Sequence, residues 1–151
     1  MKLIKHTVRI LAIAALFATS HGVSAEGTKS SEPAQMEPVK SVLENYLLIQ
    51  AELAKDSVKN VPEQANAIAK AVKGDGMKML SPDIAKQAEK VANAKGIKKV
   101  REAFKPLSAS LVKYLADNKA GKGTYHEAYC PMAKASWLQT RQDITNPYMG
   151  K

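Results

Sequence analysis

The chain has 151 residues, and its 23 Lys+Arg against 14 Asp+Glu give a net charge of +9. Its length and 45% hydrophobic content suit one domain with one modest core. A single cysteine excludes an intrachain disulfide framework. The lysines are scattered without interleaved aromatics, so there is no stacking platform that would mark a nucleic-acid binder.

The first segment reads as an export signal. Lys2, Lys5 and Arg9 form a basic start, Ile10 to Ala18 is an uncharged apolar run, and Val23-Ser24-Ala25 offers the small residues that a signal peptidase accepts. The run is too short to span a bilayer comfortably. Residues 1–25 are therefore expected to be a removable signal peptide rather than a permanent anchor, leaving a periplasmic or secreted chain. Residues 26–36, rich in Ser, Gly, Glu and Lys, are expected to be a flexible leader, and residues 37–151 a single domain.

From Pro38 the pattern becomes helical. Val39, Leu43, Tyr46, Gln50 and Leu53 recur at steps of four and three, and Val42, Leu47 and Ile49 widen the stripe. Asn60-Val61-Pro62 opens a second helix with proline in its first turn. Ala65, Ile68, Ala69 and Val72 keep its period until Gly74 and Gly76. Ser81-Pro82-Asp83 starts a third helix, because the serine can cap exposed amides and the aspartate faces the positive end. Ile84, Ala88, Val91 and Ala92 form its apolar side, and Gly96 stops it.

A fourth helix runs from Ile97 through Val100, Phe104, Leu107, Leu111 and Tyr114 or Leu115. Pro106 removes one backbone bond, so a bend is expected near Glu102 to Phe104. The stretch Lys86, Lys90, Lys95, Lys98, Lys99 and Arg101 reads as a solvated helix face. Four amphipathic helices with short connections predict an all-α, up-and-down four-helix bundle over residues 38–119.

Beyond Asn118 the character changes. Gly121 and Gly123 form a connector, and residues 124–151 hold Tyr125, Tyr129, Trp137 and Tyr148, half of the eight aromatics in the chain. The expectation is a docked terminal segment covering one end of the bundle, with Lys134 to Gln142 as a short helix and Asn146-Pro147-Tyr148 as a final turn.

The same segment carries the chemistry. Tyr125-His126-Glu127-Ala128-Tyr129-Cys130-Pro131-Met132 places an imidazole, a thiol and a thioether within seven residues, the side chains that a soft ion such as Cu(I) prefers. Cys130 and Met132, joined by His126 and Met149, are the candidate metal ligands. After signal removal His126 is the sole histidine, which excludes two- and three-histidine zinc centres in one chain. No His-Glu-x-x-His, Gly-x-Ser-x-Gly or phosphate-cradling glycine loop occurs. A catalytic Cys130–His126 pair has no third residue to orient it, so a non-enzymatic protein is expected. The competing account of Cys130, Pro131 and Met132 is a latch that docks the terminal segment. Met77 and Met79 read as loop-to-core contacts.

Three separated pieces, Tyr129-Cys130-Pro131-Met132-Ala133, Trp137-Leu138-Gln139 and Ile144-x-Asn146-Pro147-Tyr148-x-Gly150-Lys151, stand in order. With Leu43-x-x-Tyr46-Leu47 and Ala51-x-Leu53-Ala54, they make the chain resemble a bacterial domain-of-unknown-function family, number 3347, over about residues 37–151. The resemblance implies a helical periplasmic domain, found alone or attached to adaptor subunits of heavy-metal efflux systems of the resistance-nodulation-division type. Members typically continue past the Asn-Pro-Tyr turn to a methionine and a second cysteine, whereas the 151 residues in hand hold only Cys130. Two functional expectations follow: an exported accessory module with a periplasmic or envelope partner such as a metal-efflux component, or a Cu(I)-type binding protein.

Overall fold

Each apolar stripe forms a helix: α1 (Val39–Ala54), α2 (Val61–Lys73), α3 (Pro82–Asn93) and α4 (Ile97–Asn118). The computed structural model describes residues 37–150, so the expected signal peptide and leader lie outside the described residues. The local signals act as anticipated at α3, where Ser81 Oγ accepts from Asp83 N at 3.3 Å. Helix α4 continues through Pro106, whose ring lies on the exposed side.

Consecutive helices pack on one another, α1 on α2, α2 on α3 and α3 on α4. Val42, Leu43, Ile49, Ile68, Ile84, Leu107 and Leu111 are fully enclosed between them. Direct contact between α1 and α4 is slight. The remaining space is filled by the terminal segment, which corrects two expectations.

First, residues 134–142 do not form a helix. The segment is an antiparallel hairpin of β1 (His126–Cys130) and β2 (Ala135–Gln139), with His126 opposite Gln139, Ala128 opposite Trp137 and Cys130 opposite Ala135. The reversal at Pro131–Lys134 closes with Lys134 N donating to Pro131 O at 3.3 Å, and Lys134 has φ of 49°. A strand wins because Ala135, Trp137, Leu138 and Gln139 are all buried, and burial on both faces suits two-residue alternation. Second, the protein is mostly helical but not purely so, since this small sheet lies against both α1 and α4.

Among the loop methionines, Met79 packs on the core as expected, whereas Met77 is exposed.

Candidate functional site

The terminal segment is held by a chain of aromatic rings from four separate elements. Tyr46 of α1 stacks on Phe104 of α4 at 5.0 Å, Phe104 meets Tyr148 at 6.0 Å, and Tyr148 meets the edge of Trp137 at 6.0 Å. Burying each of Trp137, Leu138 and Tyr148 is worth roughly 1.5–3 kcal/mol, so docking is a large share of the stability of a small domain.

A line of hydroxyls seals the inner edge of β2. Leu138 N donates to Tyr46 Oη at 3.0 Å, the Tyr46 and Ser108 hydroxyls are bonded at 2.5 Å, and Ser108 Oγ donates to Ser136 O at 2.9 Å. Tyr148 Oη donates to the same carbonyl at 2.8 Å. Since Ser108 gives its only proton to Ser136 O, its oxygen accepts from the Tyr46 hydroxyl, and the relay begins and ends on β2. Burial raises the pKa of both tyrosines, that of Tyr148 to about 12.

Polar clamps complete the latch. Arg101 donates from Nε to Pro147 O at 2.7 Å and from Nη2 to Leu53 O at 2.8 Å and Asp56 Oδ1 at 2.7 Å, with its side chain only 13% exposed. This corrects the reading of Arg101 as part of a solvated face: a guanidinium can serve several acceptors at once, which a lysine at this position could not match. Gln50 Nε2 donates to Thr145 O at 2.7 Å. The buried Gln139 accepts from Trp137 Nε1 at 3.0 Å and Thr145 N at 3.3 Å, and donates to Asp143 O at 3.1 Å. Gly150, at φ of 72°, approaches Asp56 so closely that an added Cβ would lie 2.1 Å from Oδ1.

Cys130 sits where β1 enters its turn. Its buried sulfur accepts from Ala133 N at 3.4 Å, and the thiol is held below its ordinary pKa, first by the hydrogen bond from Asn146 and then by the Ala133 and Met132 amides, against the opposing effect of burial. Asn146 Oδ1 meanwhile accepts from Tyr148 N at 2.9 Å and Met149 N at 3.3 Å. Asn146 thus joins the Cys-Pro-Met turn to the Asn-Pro-Tyr turn.

The four candidate ligands are placed differently. Cys130 is buried, Met132 is 79% exposed at the tip of the hairpin, and Met149 is 45% exposed in the turn that Asn146 organises. His126 is exposed at the far end of β1, about 13 Å along the strand from Cys130 at the usual rise per residue. The Cys130 region therefore brings together a thiol and two thioether-bearing turns, while His126 stands apart within one chain. Among the described residues, no three His, Cys, Asp or Glu side chains gather into a set that could hold a metal ion.

Sequence reasoning missed Arg101 and Ser108, and counted Gln50 only as part of an apolar stripe. The available signal was the polar residue itself on a buried helical face: Gln50 and Ser108 both occupy core-facing positions.

This is a mostly helical domain whose terminal hairpin is locked to its first and last helices. The chain belongs to the family described as protein of unknown function, DUF3347, whose model matches residues 42–123, more than half of the chain. The match spans the helical body and ends just before the hairpin. No curated protein and no solved structure matches the chain.

Proposed function

We propose that this is an exported, non-enzymatic accessory module that docks onto a periplasmic or envelope protein, such as a metal-efflux component, through the tip of its hairpin. The observation that supports it most is a contrast within one turn. Met132 and Pro131 are exposed, while Cys130 before them and Ala135 after them are buried and the turn is tied at its base. An exposed apolar tip on a fixed base loses little conformational freedom on binding, and a thioether adapts well to a partner surface. The basic start and apolar run of residues 1–18 support export, and the resemblance of the terminal motif supports the kind of partner.

A photo-crosslinking amino acid at position 132, compared with one at the exposed Lys86, tests this in cells. The expected outcome is a discrete adduct with a metal-efflux component from position 132 alone, on a protein whose first residue is Glu26. Adducts of equal yield from both positions, or a chain that still starts at Met1, would refute the reading.

A second reading rests on the poised thiol. With Asn146 and two backbone amides favouring the thiolate, Cys130 is a better soft-metal ligand than an ordinary cysteine, and Met132 and Met149 lie in the turns that flank it. Competition with a calibrated Cu(I) chelator decides it. Wild type should bind and the Cys130→Ala, Met132→Ala double variant should not; equal uptake would end the metal reading.

A further inference from the structure

The two edges of the hairpin are treated oppositely. Along β2, Leu138 N and Ser136 O turn away from β1 to meet Tyr46, Ser108 and Tyr148. In an antiparallel ladder, such residues belong to the pairs that do not exchange backbone bonds. Their partners, Glu127 opposite Leu138 and Tyr129 opposite Ser136, must likewise turn their N–H and C=O groups outward, away from β2. Among the described residues, these four outward groups have no protein partner, and β1 is largely exposed. An edge of this kind is a template for another strand, and β1 has no proline, lysine or bulge to deter one.

The side chains around this edge indicate which strand fits. Tyr129, 59% exposed, lies in a groove of about 500 Å³ that is also lined by Lys105, Lys113 and Lys134 and by no carboxylate. Lys105 and Lys113 also reach Glu102 and Asp117 on their own helix, exposed pairs worth little; Lys134 makes no ion pair among the described residues. An incoming strand should therefore place an acidic residue opposite Tyr129. The sequence His126-Glu127-Ala128-Tyr129-Cys130 does so when paired antiparallel with itself about Ala128: Glu127 of one copy falls opposite Tyr129 of the other, twice, by symmetry.

We propose that β1 pairs antiparallel with β1 of a second copy, joining two hairpins into one four-stranded sheet with its two-fold axis at Ala128. Glu127 and Tyr129 exchange the backbone bonds across the axis, and each Glu127 carboxylate lies beside the other copy's lysine-rimmed groove. His126 and Cys130, about 13 Å apart along one strand, become directly opposed across the interface in the closer, non-hydrogen-bonded type of pair. The pairing uses the open edge of the hairpin and does not depend on what its tip contacts.

Sedimentation velocity on the full chain as recovered from cells, from about 10 µM to about 1 mM, is expected to show the mass doubling as concentration rises, the range in which a small interface of this kind associates. Tyr129→Pro removes only an outward N–H, a position where an edge strand tolerates proline, and should remain monomeric with an unchanged helical spectrum. Glu127→Lys, a second variant at an exposed side chain, should weaken association roughly tenfold through like charges, and Lys134→Glu in the same chain should restore it. His126→Cys should give a covalent dimer under mild oxidation, and should lose it when Cys130→Ala is added. A wild type that stays monomeric throughout overturns the proposal and leaves the edge to an extended segment of another protein. So does a Tyr129→Pro chain that still dimerises, or a wild-type dimer whose His126→Cys variant cannot be cross-linked.

Discussion

Removing one oxygen atom, in Tyr46→Phe, tests whether the hydroxyl relay holds the terminal segment. The change leaves the ring stacked on Phe104 and creates almost no cavity, but it takes the acceptor from Leu138 N and a donor from Ser108. A buried N–H without a partner costs about 1–3 kcal/mol, and with the weakened serine the total is about 2–3 kcal/mol. For a domain of this size that lowers the melting midpoint by about 8–12 °C. Ser108→Ala should cost about 1–2 kcal/mol, because it leaves the Tyr46 proton without an acceptor while Ser136 O keeps its bond from Tyr148. The double variant is the informative one. Once Tyr46 has lost its hydroxyl there is no proton for Ser108→Ala to strand, so the two losses should combine to about 1–2 kcal/mol less than their sum. Urea unfolding followed by circular dichroism measures all three. Additive losses, or a Tyr46→Phe chain within about 0.5 kcal/mol of wild type, would refute the relay as a single unit.

Arg101→Met should lower stability by about 1–3 kcal/mol, because it takes the donor from the Pro147 carbonyl and a charged hydrogen bond from Leu53 O, which keeps its bond from Asp56 N, whereas Lys98→Met, on the exposed side of the same helix, should change it by no more than about 0.5 kcal/mol in the same urea assay. The folded-state pKa of Tyr148 is raised from 10.0 to about 12, so the stability it contributes is full below pH 10 and is lost as pH rises from 10 to 12. Urea midpoints across that window should fall for wild type and fall less for Tyr148→Phe. The thiolate absorbance of Cys130 should appear at lower pH in the folded than in the urea-unfolded chain, and Asn146→Ala should move it upward, because the Asn146 hydrogen bond is the largest cause of the depression. A folded-state titration unchanged by Asn146→Ala would remove the bridge between the two terminal turns.

The four helices were legible because helix formation is governed by near neighbours. The four-and-three spacing of Val39 to Leu53, the Ser81-Pro82-Asp83 start and the Gly74 end of α2 each act within a few residues, although α3 ends at Asn93 and Gly96, expected to stop it, is the N-cap of α4 instead. The Tyr-Cys-Pro-Met, Trp-Leu-Gln and Asn-Pro-Tyr pieces also signalled that the terminal segment matters. What they build was decided by distant partners. Residues 134–142 look helical in isolation, but Tyr46 and Ser108 offer hydroxyls only to a strand edge, and the gap between α1 and α4 accepts Trp137 and Leu138 on opposite faces of that strand. Arg101 looks like one more surface charge until its acceptors arrive from residues 45 to 48 positions away. Likewise, the closeness of His126 to Cys130 in sequence concealed their separation in space, because an extended strand spends about 3.3 Å on each residue. Local spacing therefore determined the four helices of the body and which side chains carry soft-ligand chemistry. Only the packed chain determined which of those side chains meet, because hydrogen bonds and ring contacts between remote elements leave no periodicity for a sequence to display.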